Sequence, residues 1–120
     1  MIDHVGFEVS DLARSAHFYD AVLYPLGARR LLFSEQAVAY GVEGPLLWIV
    51  VRGRVPGPGY GHLALRASGR AAVHAAHAAG LVSGGEDDGA PGPRPQYGEG
   101  CYAGYLRDPD GLRVEVVTRH

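Results

Sequence analysis

The strongest constraint on this chain is that it states one supersecondary pattern twice. Residues 2–9 (IDHVGFEV) alternate, with Val5, Phe7 and Val9 on one side and His4, Gly6 and Glu8 on the other. That is the pattern of a strand with one buried face. Residues 61–67 (GHLALRA) repeat it, with Leu63 and Leu65 opposite His62, Ala64 and Arg66. A helix pattern follows each strand. In the first, Ser10 is placed to cap a helix carrying Leu12, Ala16, Tyr19, Val22 and Leu23, stopped by Pro25 and Gly27. In the second, residues 69–80 are an Ala-rich helix ended by Gly80. Apolar stretches at 28–34, 37–42 and 45–52 then predict an antiparallel three-stranded meander. The second half offers a short strand near 81–86, a Pro/Gly loop over 87–100, and strands near 101–107 and 111–118. The last two meet at Asp108-Pro109-Asp110-Gly111, whose Asp-Gly is a turn signal.

A repeat of this size changes how the fold is read. The expected class is α+β, a single domain over residues 1–120 made of two βαβββ modules, about 1–53 and 61–120, with a linker over 54–60. The two sheets are expected to form a curved, partly open mixed β-barrel with the helices outside.

At 120 residues, 47% apolar and 20% charged, the chain has enough material for one self-supporting core without disulfides. Its 18 glycines and 8 prolines fit many turns and short strands. All 11 basic residues are Arg, so lysine Schiff-base chemistry and the lysine phosphate loop are excluded. A net charge of −2 with no basic run offers nothing to nucleic acid. The longest apolar run, Leu46 to Val51, is too short to span a bilayer. Asp3 and Glu8 stand where a signal peptide is basic and then apolar. The single cysteine, Cys101, has no internal disulfide partner, which suits a reducing cytoplasm.

Three residues stand out as candidate metal ligands. His4 and His62 each sit early in a module's first strand, off the core-facing row. In the last strand Leu112, Val114 and Val116 form the apolar row, so Glu115 faces the other way. The separations, 58 and 53 residues, are nearly one module each. A single His near a strand start is ordinarily a surface residue, but a carboxylate among valines needs a partner. Two imidazoles and one carboxylate leave coordination positions open, as catalytic metal sites do.

The segments DHVGFEVSDLARSAHFYDAVL, GYGHLALRA and DPDGLRVEVV, in this order, resemble the vicinal oxygen chelate superfamily of glyoxalases, bleomycin-resistance proteins and extradiol dioxygenases. The resemblance covers the whole chain. It implies paired βαβββ modules, a homodimer and one divalent ion (iron, manganese, nickel, zinc or cobalt) on His4, His62 and Glu115. Glu115 is then also the residue expected to exchange protons. The fourth ligand of glyoxalase I falls on Ile49 or Trp48, neither of which binds metal, so a three-ligand site is expected. The loop GAPGPRPQYGEGCYAGY resembles an uncharacterised bacterial glyoxalase-like subgroup.

Around that site Arg94, Tyr97 and Tyr102 are candidates for the cavity mouth, where an Arg fork suits a carboxylate or phosphate. Trp48 is a candidate wall for an apolar substrate, and Tyr40 and Tyr105 are read as pseudo-symmetric lining or core residues. His74 and His77, three apart, are expected on an exposed helix face. Gly98 to Ala103 fits G-x-G-x-x-A by letter but precedes a strand, so it is no dinucleotide site. The expected function is a metal-dependent glyoxalase-like lyase or isomerase acting on a small oxygen-chelating substrate. The alternatives are a non-catalytic drug-binding protein or a ring-cleaving dioxygenase.

Overall fold

The computed structural model describes residues 1–120. The first module contains β1 (Val5–Glu8), α1 (Leu12–Leu23), β2 (Arg29–Phe33), β3 (Ala37–Gly41) and β4 (Pro45–Val50). The second contains β5 (His62–Arg66), α2 (Arg70–Leu81), β6 (Glu86–Pro93), β7 (Tyr102–Arg107) and β8 (Arg113–Thr118). Each module makes its own four-stranded sheet, in the orders β1-β4-β3-β2 and β5-β8-β7-β6. The first strand of each pairs parallel with the last, and the other pairings are antiparallel.

The doubled βαβββ pattern therefore stands, but the barrel does not. No strand of one sheet pairs with a strand of the other, and the sheets neither close nor curl strongly. The reason lies in the helices. α1 packs on β2, β3 and β4, α2 packs on β6, β7 and β8, and the helices pack on each other. They form the middle of the molecule and hold the sheets apart. One core of 16 buried residues unites Phe18, Tyr19 and Val22 of α1, Val73 and Ala76 of α2, Ile49 of β4 and Val114 and Val116 of β8.

Gly80 permits that helix–helix approach. A Cβ there would lie 2.6 Å from Leu106 Cδ1, 3.0 Å from Val22 Cγ2 and 3.2 Å from Phe18 Cε1. Gly80→Ala should thus destabilise the fold by about 1–3 kcal/mol, as overpacking does. Urea unfolding checks this, and an unchanged midpoint would mean the helices are not tightly apposed.

Three local expectations need correcting. α2 runs one residue past Gly80, and residues 87–93 are strand instead of loop. β6 is an edge strand whose register shifts between Asp87 and Gly89 and again between Gly89 and Gly92. Only an edge tolerates Pro91 and Pro93, whose missing N–H groups need no ladder partner. Helix α1 is capped by Asp11, not Ser10, with Asp11 Oδ1 accepting from Arg14 N at 3.0 Å. Ser10 is engaged elsewhere: its backbone N–H and its hydroxyl both donate to the Asp110 carboxylate.

The turn at 108–111 is thereby fastened to α1. Asp108 Oδ2 accepts from the Tyr19 hydroxyl at 2.7 Å, while Oδ1 accepts from the amides of Asp110 (3.0 Å) and Leu112 (2.8 Å). Burial pushes the Asp108 pKa above the usual aspartate value, outweighing those hydrogen bonds. A raised folded pKa gives stability that is full below the unfolded pKa and lost as pH rises through the folded one. Asp108→Asn should abolish this contribution, so wild type should gain on the variant as pH falls. Thermal melts of both across acidic pH test it; parallel curves would refute it.

A candidate metal centre divided between two sheet faces

Each strand has one row of side chains under a helix and one row on the helix-free face. On the second sheet, β5 and β8 pair in parallel with His62 opposite Arg113 and Ala64 opposite Glu115. The long side chains reach diagonally, so His62 Nε2 lies 3.2 Å from Glu115 Oε1. His62 is 48% exposed and Glu115 only 15% exposed, which leaves the imidazole open to an incoming cation.

Across the β7–β8 pairing Tyr105 stands opposite Glu115, on the same face. The Arg113 guanidinium lies 4.1 Å and that of Arg94 5.4 Å from the Tyr105 ring centroid. Asp88 Oδ2 accepts from Arg113 Nε at 2.9 Å and is 3.2 Å from Arg107 Nε. Burial raises the Tyr105 pKa, and the charge of Glu115 adds to the rise.

The first sheet presents the other half of the expected ligand set. His4 lies just before β1, its Nδ1 2.6 Å from Asp3 Oδ1 and its ring edge-on to Trp48 at 6.5 Å. A carboxylate on Nδ1 holds the proton there, leaving the lone pair on Nε2. His4, Gly6, Glu8, Trp48 and Arg52 line a shallow recess. Arg54 forks onto Glu8 at 2.9 and 2.8 Å, and these hydrogen bonds hold the Glu8 pKa below the usual range. Ile49 is buried under α1 and Trp48 lies on the side of His4, so neither position offers a fourth ligand.

No group of three His, Cys, Asp or Glu side chains in the chain is placed to hold a metal ion. His62 and Glu115 converge, and His4 does not join them within one chain. The physical reason is that the two sheets are separate: they meet through the packed helices α1 and α2, and no strand of one pairs with a strand of the other.

The other singled-out residues divide as well. Arg94 is on the face of Glu115 and Tyr105. Tyr97 sits in a 3-10 turn (Pro95–Tyr97), largely exposed, with its carbonyl accepting from Arg119. Tyr102 is on the opposite face, beneath Arg70 and hydrogen-bonded to His74 of α2. His77 is buried instead of exposed, with Nε2 3.1 Å from Asp87 Oδ1 and 3.2 Å from the Tyr105 carbonyl. Tyr40 and Tyr105 are not equivalent. Tyr40 faces α1, where its hydroxyl donates to Asp20, while Tyr105 faces away from the helices. Sequence reasoning missed the pairing of Tyr105 with Arg113, although the alternation Ala103, Tyr105, Arg107 carried the signal.

The whole pattern is matched by one family model, the Glyoxalase/Bleomycin resistance protein/Dioxygenase superfamily, over residues 1–116. The chain belongs to this superfamily. Among solved structures, a glyoxalase/bleomycin resistance protein from Albidiferax ferrireducens T118 is 32% identical, with a TM-score of 0.86 over 95% of each chain. A glyoxalase-related enzyme from Fulvimarina pelagi is 21% identical, with a TM-score of 0.77 over 98% of this chain and 86% of that one. A glyoxalase I mutant from Zea mays, 24% identical with a TM-score of 0.75, is matched by 97% of this chain over 45% of its own length. A comparison with curated proteins found no match. Small-molecule binding is typical of this superfamily. No helix of this glyoxalase-superfamily chain is long and apolar enough to cross a membrane.

Proposed function

We propose that this protein is a divalent-metal-dependent lyase or isomerase of glyoxalase type, acting on a small substrate with paired oxygens. The supporting observation is the convergence of His62 Nε2 and Glu115 Oε1 at 3.2 Å on an open sheet face. An imidazole nitrogen and a carboxylate at that spacing suit a shared cation. They are two donors, and the third in this reading is His4 of a second copy of the chain. The outward-facing sheets support that arrangement, because a homodimer can bring the first sheet of one copy over the second sheet of the other. Asp3 fixes the His4 ring so that Nε2 is the free donor. The unpaired thiol of Cys101, buried, fits an intracellular setting.

Bound there, a divalent ion supplies Lewis acidity to the substrate's oxygens. Glu115 accepts and returns a proton at its carboxylate, Trp48 closes the first sheet's side with an apolar wall, and Arg94 and Tyr97 stand near the opposite rim.

Complementation tests the reading. Neither His4→Ala nor Glu115→Gln should bind Mn²⁺ well alone. An equimolar mixture, refolded together, should regain metal binding, because a mixed dimer rebuilds one site from His4 of one chain and Glu115 of the other. Sedimentation should show a dimer at micromolar concentration. A mixture that binds no better than its parents would overturn the shared site. Ligand binding retained in both variants without any metal would favour a drug-binding protein.

A further inference from the structure

We infer that the His62–Glu115 face takes an anionic substrate, whose oxyanion seats between Arg94 and Arg113 against the ring of Tyr105. This rests on the reading that the face is part of the active site.

Three observations carry it. Arg94 makes no ion pair; its Nη2 donates to the Ala90 carbonyl at 2.7 Å, and its Nε is buried with no partner. An unsatisfied buried nitrogen makes this guanidinium under-satisfied within the chain, and Nη1, which makes no hydrogen bond in the chain, is the nitrogen an anion reaches. Arg113 gives only Nε to Asp88, and Asp88 is already shared with Arg107. Its terminal nitrogens are therefore free to donate. Finally, strand alternation gives this face Arg66, Arg107 and Arg113, and Arg94 joins them over Tyr105, against three carboxylates, Glu86, Asp88 and Glu115. That surplus of positive charge stands beside the proposed metal ligands, where an uncharged dicarbonyl would leave it unanswered.

Tyr105 makes the arrangement rigid. Its almost fully covered ring carries the Arg94 guanidinium carbon at 5.4 Å and that of Arg113 at 4.1 Å from its centroid, so each fork is held against it. Paired forks of this kind recognise carboxylate and phosphate or phosphonate oxygens alike.

The test follows the side-chain Nε–H signals of Arg94 and Arg113 by NMR in the full chain, titrated with acetate, methylphosphonate and neutral acetamide. At least one anion should shift both signals saturably, and acetamide should shift neither. The tighter anion identifies carboxylate or phosphonate as the substrate's charged group. Arg94→Gln should weaken anion binding about ten-fold or more, the usual size of a lost charged hydrogen bond. Arg94→Lys, which keeps the charge, should fall between, and Arg113→Gln should act in the same direction. Anion binding unchanged in Arg94→Gln, or no saturable shift in wild type, would overturn the inference and leave the arginines as packing for Tyr105. Mn²⁺ titration of the same samples separates the two readings. Anions that bind where Mn²⁺ does not would remove the metal reading alone, and the reverse would remove only this one.

Discussion

Replacing Glu115 by Gln should lower divalent-metal affinity about 10-fold or more, at a minimum the size of effect seen when even supporting residues of metal sites are changed. The substitution keeps the side chain's length and hydrogen-bonding capacity, and removes the negative charge that His62 faces at 3.2 Å. Glu115 lies within β8, flanked by Val114 and Val116 of the core, so the backbone that presents it should not move. Calorimetric titration of Mn²⁺, Ni²⁺, Zn²⁺ and Fe²⁺ into wild type and variant, at one fixed pH, reads the loss. Turnover of any substrate found should collapse in parallel. Equal and weak binding in both proteins would end the metalloenzyme reading and put drug sequestration ahead.

A comparable loss, in stability this time, is expected from Asp108→Ala. The Asp108 side chain is buried and accepts three hydrogen bonds, from the Tyr19 hydroxyl and the amides of Asp110 and Leu112. Truncation orphans the buried Tyr19 hydroxyl and two part-buried amides, and each group left unsatisfied away from water costs about 1–3 kcal/mol. Allowing for relaxation of the turn, the total should come to roughly 3 kcal/mol or more, a large share of a domain's ~5–15 kcal/mol. Tyr19→Phe removes one donor along with its bond and should cost far less. Denaturant midpoints of the two variants give the comparison. If they are alike, the aspartate is not the hub of the turn.

The modules and their strands were readable because period-2 alternation and the His4/His62 register leave few other arrangements. The α1 and α2 contact was not, since which side of a helix meets which neighbour depends on Phe18 fitting over Gly80 and Gly85, a fit set by three-dimensional approach. For the same reason alternation singled out His4, His62 and Glu115 as candidates, while it could not say that only His62 and Glu115 converge within one chain. β6 escaped notice because Gly89, Pro91, Gly92 and Pro93 are turn signals everywhere except at a bulged edge. Asp108 and Asp110 looked like turn residues alone; their partners, Tyr19 and Ser10, lie 89 and 100 residues earlier. Tyr102 and Tyr105 differ by three positions, which in a strand puts them on opposite faces, and only the β7–β8 register says which is which.

Those long separations bear on the order in which the protein can be made. On a ribosome, Ser10 and Tyr19 emerge first, and their partners only after the linker, β5, α2 and β6 have followed. Until then the start of α1 has an unanswered hydroxyl and Phe18 has no Gly80 to cover. The first module should therefore linger as an unfinished, sticky intermediate during synthesis, and arrest of translation before residue 108 should yield nascent chains that depend on chaperones.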